Sequence, residues 1–290
     1  MNPNTDIEGY VAALPESVDA ATPFYRIDGA QVAGCFHKAC VSSVFQPIVD
    51  LAQQSIVGHQ GLLRIVGSGD AASAPWNLFS RAASNAALRQ LDRLCRTLHA
   101  LNYFSQADAD KLLFLNVEQR LLATVPDNHG TVFKGTLAEL GLTTAGIVIM
   151  FPRVVVEYPW WLERAARNYR SHGYRVLVPA SSWDYGTLRL FEDMPVDFVK
   201  VDVAPGFNAK RLADFGMALR ERGIELLAGR VETADLVNRV REVGVDLVQG
   251  FALGAPSAVP IGQRCRQASF LTSNSSSRPP QEMMTAGGVE

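Results

Sequence analysis

Apolar residues along the middle of the chain follow two alternating patterns. Short runs rich in Val, Ile and Leu are typical of buried strands. Such runs occur at residues 43–51, 55–65, 112–117, 146–151, 174–179, 196–203, 224–229 and 245–251. Between most of them, apolar residues recur three or four positions apart, which predicts helices. These helical stretches cover residues 77–101, 159–173, 208–223 and 232–244.

The alternation of strands and helices favours a parallel α/β sheet, and about eight strands in roughly 230 residues fit a closed (β/α)8 barrel of the TIM type. In such a barrel, chemistry belongs to residues at the carboxyl ends of the strands. Those positions are Asn116, Met150, Pro179, Ala180, Lys200, Gly229 and Gln249, together with Gln60 on the second strand. Because most of these side chains neither titrate nor bind a hard metal ion well, the residues alone name no reaction.

The two ends of the chain differ from its middle. Residues 1–36 contain three prolines and only short apolar stretches, which predicts a partly ordered extension with one short helix. Residues 267–290 are rich in Ser, Pro and Gly and poor in large apolar residues, which predicts a disordered tail. The barrel is therefore expected to occupy residues 37–266.

Composition and charge exclude several classes of protein. The 290 residues are 48% hydrophobic, enough for one large domain with a buried core. A formal net charge of −2 predicts no general attraction to nucleic acid or to an anionic membrane. The sequence has no signal peptide pattern and no apolar run of ~20 residues, so it predicts a cytoplasmic protein.

The cysteines at positions 35, 40, 95 and 265 are scattered and form no C-x-x-C pair. This spacing indicates neither a zinc site nor a redox motif. Free thiols are the expectation for all of them.

Several ordered blocks of the sequence resemble those of one protein family. FQPIVDL and SIVGHQGLLR are similar to the family's Q-P-I-V-D-L and I-V-G-x-E-A-L-L-R, and LFLNV is similar to its strand ending in Asn. LRLFEDMPVDFVKVD and AGRVETADLVNRVREVGVDLVQGFALGAPS resemble its later blocks. Over about residues 38–260, the chain thus resembles the EAL domain, which hydrolyses the bacterial second messenger cyclic di-GMP. The resemblance implies a modified TIM-type barrel with one antiparallel strand near its start.

Active members of this family hold two divalent ions, commonly magnesium or manganese, through several carboxylates and one Asn. The metals activate a water molecule for attack on the phosphodiester. The resemblance places Asn116 on that Asn. The carboxylate positions fall on residues without a carboxylate, namely Gln60, Met150, Arg153, Pro179, Ala180 and Gly229. Because such groups cannot neutralise two divalent ions, the resemblance predicts no metal, no cofactor and no phosphodiesterase activity.

Lys200 and Glu232 match two further family positions, and we expect them to be vestiges of a catalytic site. In the family this lysine orients the attacking water. Without metals it either attracts a phosphate or pairs with an acid such as Asp202. Glu232 precedes a predicted helix, where the helix dipole favours an acid. Relocated metal ligands would have to come from Asp184 or Glu192, which fit better as helix-surface residues.

Another set of residues would contact cyclic di-GMP if this chain binds it: Gln46, Pro47, Arg64, Asn116, Lys200 and Gln249. Arg64 matches an arginine that contacts a phosphate in the family, and a guanidinium suits phosphate oxygens. A salt bridge to a neighbouring acid would explain Arg64 equally well. Strand packing would likewise explain Gln46 and Pro47.

A few other residues bear on the surroundings of the site. Arg153 and Arg230 either supply positive charge in place of the metals or are ordinary surface arginines. His59 is expected to face away from the site, since adjacent strand residues point to opposite faces. Trp160 and Trp161 stand at a predicted helix start, where an exposed indole would indicate a contact surface.

The leading hypothesis is a non-catalytic EAL-like regulatory protein that acts through contacts with an unidentified protein partner. Such a protein would serve bacterial signalling in motility, biofilm or transcription control. The alternative is a metal-independent receptor for cyclic di-GMP, and the third hypothesis is residual phosphodiesterase activity. No direct nucleic acid or membrane partner is expected, and a homodimer is left open.

Overall fold

The computed structural model describes residues 7–17, 22–28, 31–37, 39–67, 76–80, 82–106, 111–124, 130–153 and 157–260. Within these residues, the strands are β1 (Phe24–Asp28), β2 (Gln31–Phe36), β3 (Ala39–Asp50), β4 (Ser55–Ile65), β5 (Leu112–Asn116), β6 (Ile147–Met150), β7 (Arg175–Pro179), β8 (Phe198–Asp202), β9 (Glu225–Gly229) and β10 (Leu247–Val248). The helices are α1 (Ile7–Ala12), α2 (Trp76–Ser80), α3 (Asn85–Phe104), α4 (Gln119–Thr124), α5 (Thr131–Glu139), α6 (Pro159–Ser171), α7 (Tyr185–Leu190), α8 (Ala209–Arg220) and α9 (Ala234–Glu242), with a 3-10 turn at Thr144–Gly146. Of the helices in this part of the chain, none is long and apolar enough to cross a membrane.

Strands β3 to β10 close into a barrel. β4 through β10 pair with one another in parallel and in chain order. β3 closes the ring by pairing antiparallel with both β4 and β10. The closed α/β barrel with one antiparallel strand near its start is therefore confirmed, and the carboxyl ends of the parallel strands share one rim.

The barrel strands are buried on both faces. Their inward-facing residues form one apolar cluster: Ile48, Phe114, Val148, Met150, Leu177, Phe198, Leu227 and Leu247. Residues that alternate with them belong to a second cluster shared with the helices, including Leu113, Ile149, Val178, Val201 and Ala228. Burying each large apolar side chain contributes about 1.5–3 kcal/mol. Burial on both faces explains why these strands read as near-continuous apolar runs in the sequence.

The helices differ from the predicted ones in number and length. The stretch predicted as one helix at 77–101 is divided into α2 and α3. Ser84 caps the start of α3, because its hydroxyl accepts a hydrogen bond from the Ala87 backbone N–H at 3.2 Å. The apolar pattern does not predict α4, α5 and α7, since each has only six to nine residues and shows little periodicity.

The N-terminal segment contributes more structure than its sequence predicts. α1 is the expected short helix and buries Ile7 and Val11. β1 and β2 extend the sheet from β3 as antiparallel strands. Asn102 of α3 fastens β2, since its Oδ1 accepts from the Val32 N–H at 2.7 Å and its Nδ2 donates to the Val32 carbonyl at 2.9 Å. The predicted tail at 267–290 lies outside the described residues.

Two cysteines face each other across β2 and β3. Cys35 is directly opposite Cys40 in the strand register, and the pair forms a disulfide. The expectation of free thiols is wrong for this pair, because strand pairing brings together residues that the sequence spacing leaves without a motif. Cys95 is a buried free thiol, and Cys265 lies outside the described residues.

A buried histidine joins α3 to the barrel. The Nδ1 of His99 lies 2.9 Å from Ser43 Oγ on β3. Its ring packs on Gly61 of β4, where a Cβ would lie only 3.1 Å from ring atoms. Burial lowers the pKa of His99 to about 4, because the imidazolium would lose its hydration. The packing also accounts for a glycine, rather than a larger residue, at position 61.

We expect His99 to make stability fall in mild acid. Its pKa is near 6.5 when unfolded and about 4 when folded, so between these values only the unfolded chain takes up the proton. Full protonation of the unfolded state would cost about 3 kcal/mol of unfolding free energy as the pH drops through this window. Urea unfolding of the wild type and of His99→Gln from neutral pH to pH 4 measures this, and the variant should lose less stability. His172→Gln, at a partly exposed site, is the control; equal acid sensitivity of wild type and His99→Gln would contradict the assignment.

Candidate functional site

Two glutamines stand side by side where the antiparallel strand meets the parallel ones. Gln46 of β3 and Gln60 of β4 are directly paired in the strand register. The Nε2 of Gln60 donates to Oδ1 of Asn116, the last residue of β5, at 3.2 Å. The predicted positions Gln60 and Asn116 are thus brought together by neighbouring strands.

Gln249, which follows β10, connects these glutamines to the opposite wall of the barrel. Its Nε2 donates to Gln60 Oε1 at 2.8 Å and to Gln46 Oε1 at 3.2 Å. Its Oε1 accepts from Lys200 Nζ of β8 at 2.8 Å. Gln46, Gln60, Asn116, Lys200 and Gln249 therefore form one continuous set of hydrogen bonds, called the amide network below.

Lys200 is the only charged residue of the amide network. Burial lowers the pKa of Lys200 because its ammonium is desolvated; the charge of Asp202 opposes this shift, and that of Arg153 adds to it. Asp202 itself pairs with Arg153, at 2.8 Å between Oδ2 and Nη2. The lysine thus bonds to Gln249, while Asp202, the acid named as one of its alternative partners, pairs with Arg153.

Gly229, at the end of β9, lies against the side chain of Lys200. A Cβ at position 229 would lie 2.6 Å from Lys200 Cε and 2.9 Å from Asp202 Oδ1. The stem of Lys200 and the carboxylate of Asp202 therefore occupy the space that a side chain at 229 would need. Any residue larger than glycine there would require the side chains of Lys200 and Asp202 to shift.

The remaining positions that match family carboxylates offer no oxygen from a side chain. Met150 is buried in the interior cluster of the barrel at 5% exposure. Pro179 ends β7 beside Lys200, and the Ala180 N–H donates to the Lys200 carbonyl at 2.8 Å. In the described part of the chain, no group of three or more His, Cys, Asp or Glu residues could hold a metal ion. Amides and an ammonium do not suit a pair of divalent cations, so the residues present do not fit such a centre.

Other predicted residues lie outside the amide network. Arg64 is exposed near the end of β4, and Pro47 is buried within β3. Glu232 is exposed just before Thr233, which caps α9 through a hydrogen bond to the Leu236 N–H. This placement agrees with the expected helix-start role of Glu232.

The two acids considered as relocated ligands are both engaged elsewhere. Asp184 caps α7, and the hydrogen bond from the Thr187 N–H to its carboxylate lowers its pKa. Glu192 lies 3.8 Å from Arg222. They flank α7, Asp184 as its N-cap and Glu192 just past its end, rather than lying on a helix surface as expected.

His59 points away from the amide network, as strand alternation predicts. It is buried on the outer face of the barrel, where its Nδ1 lies 3.1 Å from the Tyr103 hydroxyl. Arg230 is exposed and adopts a left-handed conformation with φ of 60°. Neither residue joins the site.

A polar cleft beside the amide network was not predicted. It has a volume of about 280 Å³ and is lined by Arg153, Ala180, Ser181, Ser182, Trp183, Asp202 and Arg211. Ser181, Ser182 and Trp183 follow the end of β7 directly, so the strand-end rule could have found them. Arg211 lies in α8 and carries no such signal in the sequence.

The family assignment follows from comparison with known proteins. The sequence profile of the EAL domain matches residues 31–256, most of the chain. This chain belongs to the EAL domain family. The match begins within β2, so the EAL domain includes this strand as well as the barrel.

Part of this EAL domain protein is similar in sequence to a known phosphodiesterase. A cyclic di-GMP phosphodiesterase, PdeB of Shewanella oneidensis, is 34% identical over 93 residues, which are 29% of this chain and 10% of that protein. The chain thus aligns with about a tenth of the length of this curated relative.

Solved structures share the fold of this EAL domain protein. They include Bacillus subtilis YkuI with cyclic di-GMP and calcium (TM-score 0.62, 24% identity, 76% of this chain and 56% of that one). Klebsiella pneumoniae BlrP1 with the same ligands has a TM-score of 0.64 at 21% identity, covering 75% of this chain and 56% of that one. A standalone EAL protein of Vibrio cholerae O395 bound to cyclic di-GMP has a TM-score of 0.58 at 21% identity, covering 75% and 92%. At these identities the likeness shows the fold alone.

Proposed function

We propose that this EAL domain protein is a non-catalytic regulator that acts through protein contacts in bacterial cyclic di-GMP signalling. Control of motility, biofilm formation or transcription is the kind of process it would serve. The amide network is the observation that carries this proposal. It occupies the end of the barrel at which the family's catalytic chemistry belongs, and it offers amides and an ammonium instead of carboxylates.

The physical argument concerns charge. Two divalent cations bring four positive charges, which in such centres are balanced mainly by carboxylates. The amide network contributes no negative charge, and Lys200 adds a positive one that would repel a cation. Asp202, at the end of β8, is already paired with Arg153 at 2.8 Å. The lack of negative charge in the amide network supports the loss of catalytic metal binding.

An exposed aromatic patch supports a regulatory function through protein contacts. It consists of Tyr158, Trp160 and Trp161 at the start of α6, with ring centroids of neighbours about 6 Å apart. Trp160 is 63% exposed and Tyr158 is 49% exposed. Exposed indole and phenol rings are enriched at protein interfaces, because they bury large areas at low entropic cost.

Replacing the exposed indole should remove the regulatory effect without unfolding the protein. In cells that depend on this chain, we expect Trp160→Ala to fail to complement a deletion, because an interface anchor is lost. The control is Met217→Ala, which truncates a side chain that is 57% exposed on α8 and should complement fully. Circular dichroism of both purified variants establishes that they fold. Full complementation by Trp160→Ala would contradict the use of this patch.

The second candidate function is a metal-independent receptor for cyclic di-GMP. Arg64 favours it, because an exposed guanidinium at the end of β4 stands on the same rim as the amide network. Gln46, Asn116 and Gln249 would add polar contacts. Relatives crystallised with cyclic di-GMP, such as YkuI and BlrP1, make this nucleotide the ligand to test.

Calorimetric titration with cyclic di-GMP distinguishes the two functions. A receptor should bind with a dissociation constant on the order of micromolar, and Arg64→Ala should weaken binding roughly tenfold or more by removing a charge-assisted phosphate contact. Arg89→Ala, an exposed arginine on α3, is the matched control and should leave the affinity unchanged. The absence of heat at high nucleotide concentration would rule out the receptor and leave the protein-contact function in place.

A further inference from the structure

The Cys35–Cys40 pair lies at a position in the sheet where the disulfide, rather than the backbone, joins the two residues. The Cys35 N–H points toward β1, where it donates to the Pro23 carbonyl at 2.9 Å. The Cys40 carbonyl points toward β4, where it accepts from the Val66 N–H at 2.9 Å. Opposed residues whose backbone groups point outward form a non-hydrogen-bonded pair with closely spaced side chains. The direct link between Cys35 and Cys40 is therefore covalent.

The turn beside this pair does not favour the hairpin by itself. Phe36 pairs with Ala39, so the connection between β2 and β3 has only two residues. Such connections need a positive φ, which glycine and asparagine adopt most readily. His37 has a φ of 53° despite its side chain, which disfavours this left-handed region. The disulfide thus stabilises a turn that its own sequence opposes, called the hairpin tip below (residues 35–37, 39 and 40).

The disulfide lies on the face of the sheet that turns away from α3. The neighbouring Gly34 faces α3, since a Cβ there would lie 3.0 Å from Leu94. Because strand residues alternate, Cys35 and its partner Cys40 point to the other face, and both are partly exposed. Cys95 is buried, and burial raises the pKa of its thiol. A thiol from solution can therefore reach the pair, whereas Cys95 is not suited to exchange with it.

Further along β2, buried side chains hold the strand independently of the disulfide. Asn102 bonds to both the N–H and the carbonyl of Val32, and Ser42 Oγ donates to the same carbonyl at 2.7 Å. The side chains of Asn102 and Ser42 are both buried. β2 therefore has an inner part anchored to the barrel and to α3, and a tip whose covalent link reduction can break.

We propose that Cys35–Cys40 is a reversible thiol–disulfide switch, reduced by a dithiol, that opens the hairpin tip while the barrel stays folded. One thiolate of the dithiol attacks a sulfur of the pair, breaks the S–S bond and forms a mixed disulfide, and the released cysteine takes up a proton. The second thiol displaces the other cysteine, which is also protonated, and closes the dithiol's own disulfide. Two electrons and two protons thus pass to the pair. A small disulfide such as oxidised glutathione takes them back.

Opening the tip changes the surface of the protein without unfolding it. The disulfide spans a sequence separation of only 5, and closing so short a loop stabilises the whole fold little. The side chain of Phe36 packs against the apolar cluster on α3, and an open tip releases it. On the other face, Cys40 points the same way as Gln46 of the amide network, roughly 20 Å along β3. Reduction therefore alters the apolar surface near the site, and this effect requires neither a metal nor cyclic di-GMP.

Amide hydrogen exchange of the wild-type protein, oxidised and after treatment with dithiothreitol, tests the switch. We expect the Phe36 and Ala39 amides to exchange at least about tenfold faster after reduction, because the tip opens more often. The anchored Val32 amide and those of β5–β9 should stay within about twofold. Oxidised glutathione should restore slow exchange. Differential alkylation with peptide mass mapping measures the redox state of Cys35 and Cys40 in each sample.

Two variants separate this pair from other thiols. The double variant Cys35→Ser, Cys40→Ser should show fast exchange at the tip with or without dithiothreitol. Cys95→Ser, the matched control, should respond as the wild type does.

Three results would overturn the proposal. The first is a pair that dithiothreitol does not reduce in the folded protein, and the second is reduction that leaves exchange at the tip unchanged. The third is faster exchange throughout β5–β9, since the disulfide would then stabilise the whole fold. None of these measurements involves metal binding, so such a failure leaves the proposed function unaffected.

Discussion

The hydrogen bond from Lys200 Nζ to Gln249 Oε1, at 2.8 Å, determines how the amides of the site are oriented. Removing an ammonium from water costs free energy unless an oxygen accepts a hydrogen bond from it. The amide of Gln249 supplies that oxygen and, by doing so, turns its NH2 group toward Gln46 and Gln60. The stem of the same lysine occupies the space beside Gly229. One residue thus orients the amides and fills the place of a missing side chain.

This arrangement depends on barrel closure. The network joins residues separated by as many as 203 positions in the chain, and only the pairing of β3 with both β4 and β10 brings them to one rim. Beneath the network, the apolar interior cluster from Ile48 to Leu247 fixes the strand ends. Side chains held on paired strands lose little additional entropy when they bond to one another. The rigid barrel therefore makes a fully bonded polar network favourable.

The sequence predicts the barrel well because strand and helix periods are local properties. The run at 55–65 coincides with β4, and the strand-end rule selects Gln60, Asn116, Lys200 and Gln249, four members of the network. It cannot predict which of these groups bond, since that depends on rotamers and register across the ring. The Cys35–Cys40 pairing and the packing of His99 on Gly61 also arise from contacts between strands and α3 that no local pattern encodes.

A hydrolysis assay with cyclic di-GMP and added manganese tests the central claim most directly. The account predicts no turnover above that of Lys200→Ala, because the amide network and the lysine cannot hold two divalent ions. Turnover by the wild-type protein that is lost in Lys200→Ala would contradict it, since the lysine would then be serving catalysis rather than orienting an inert network.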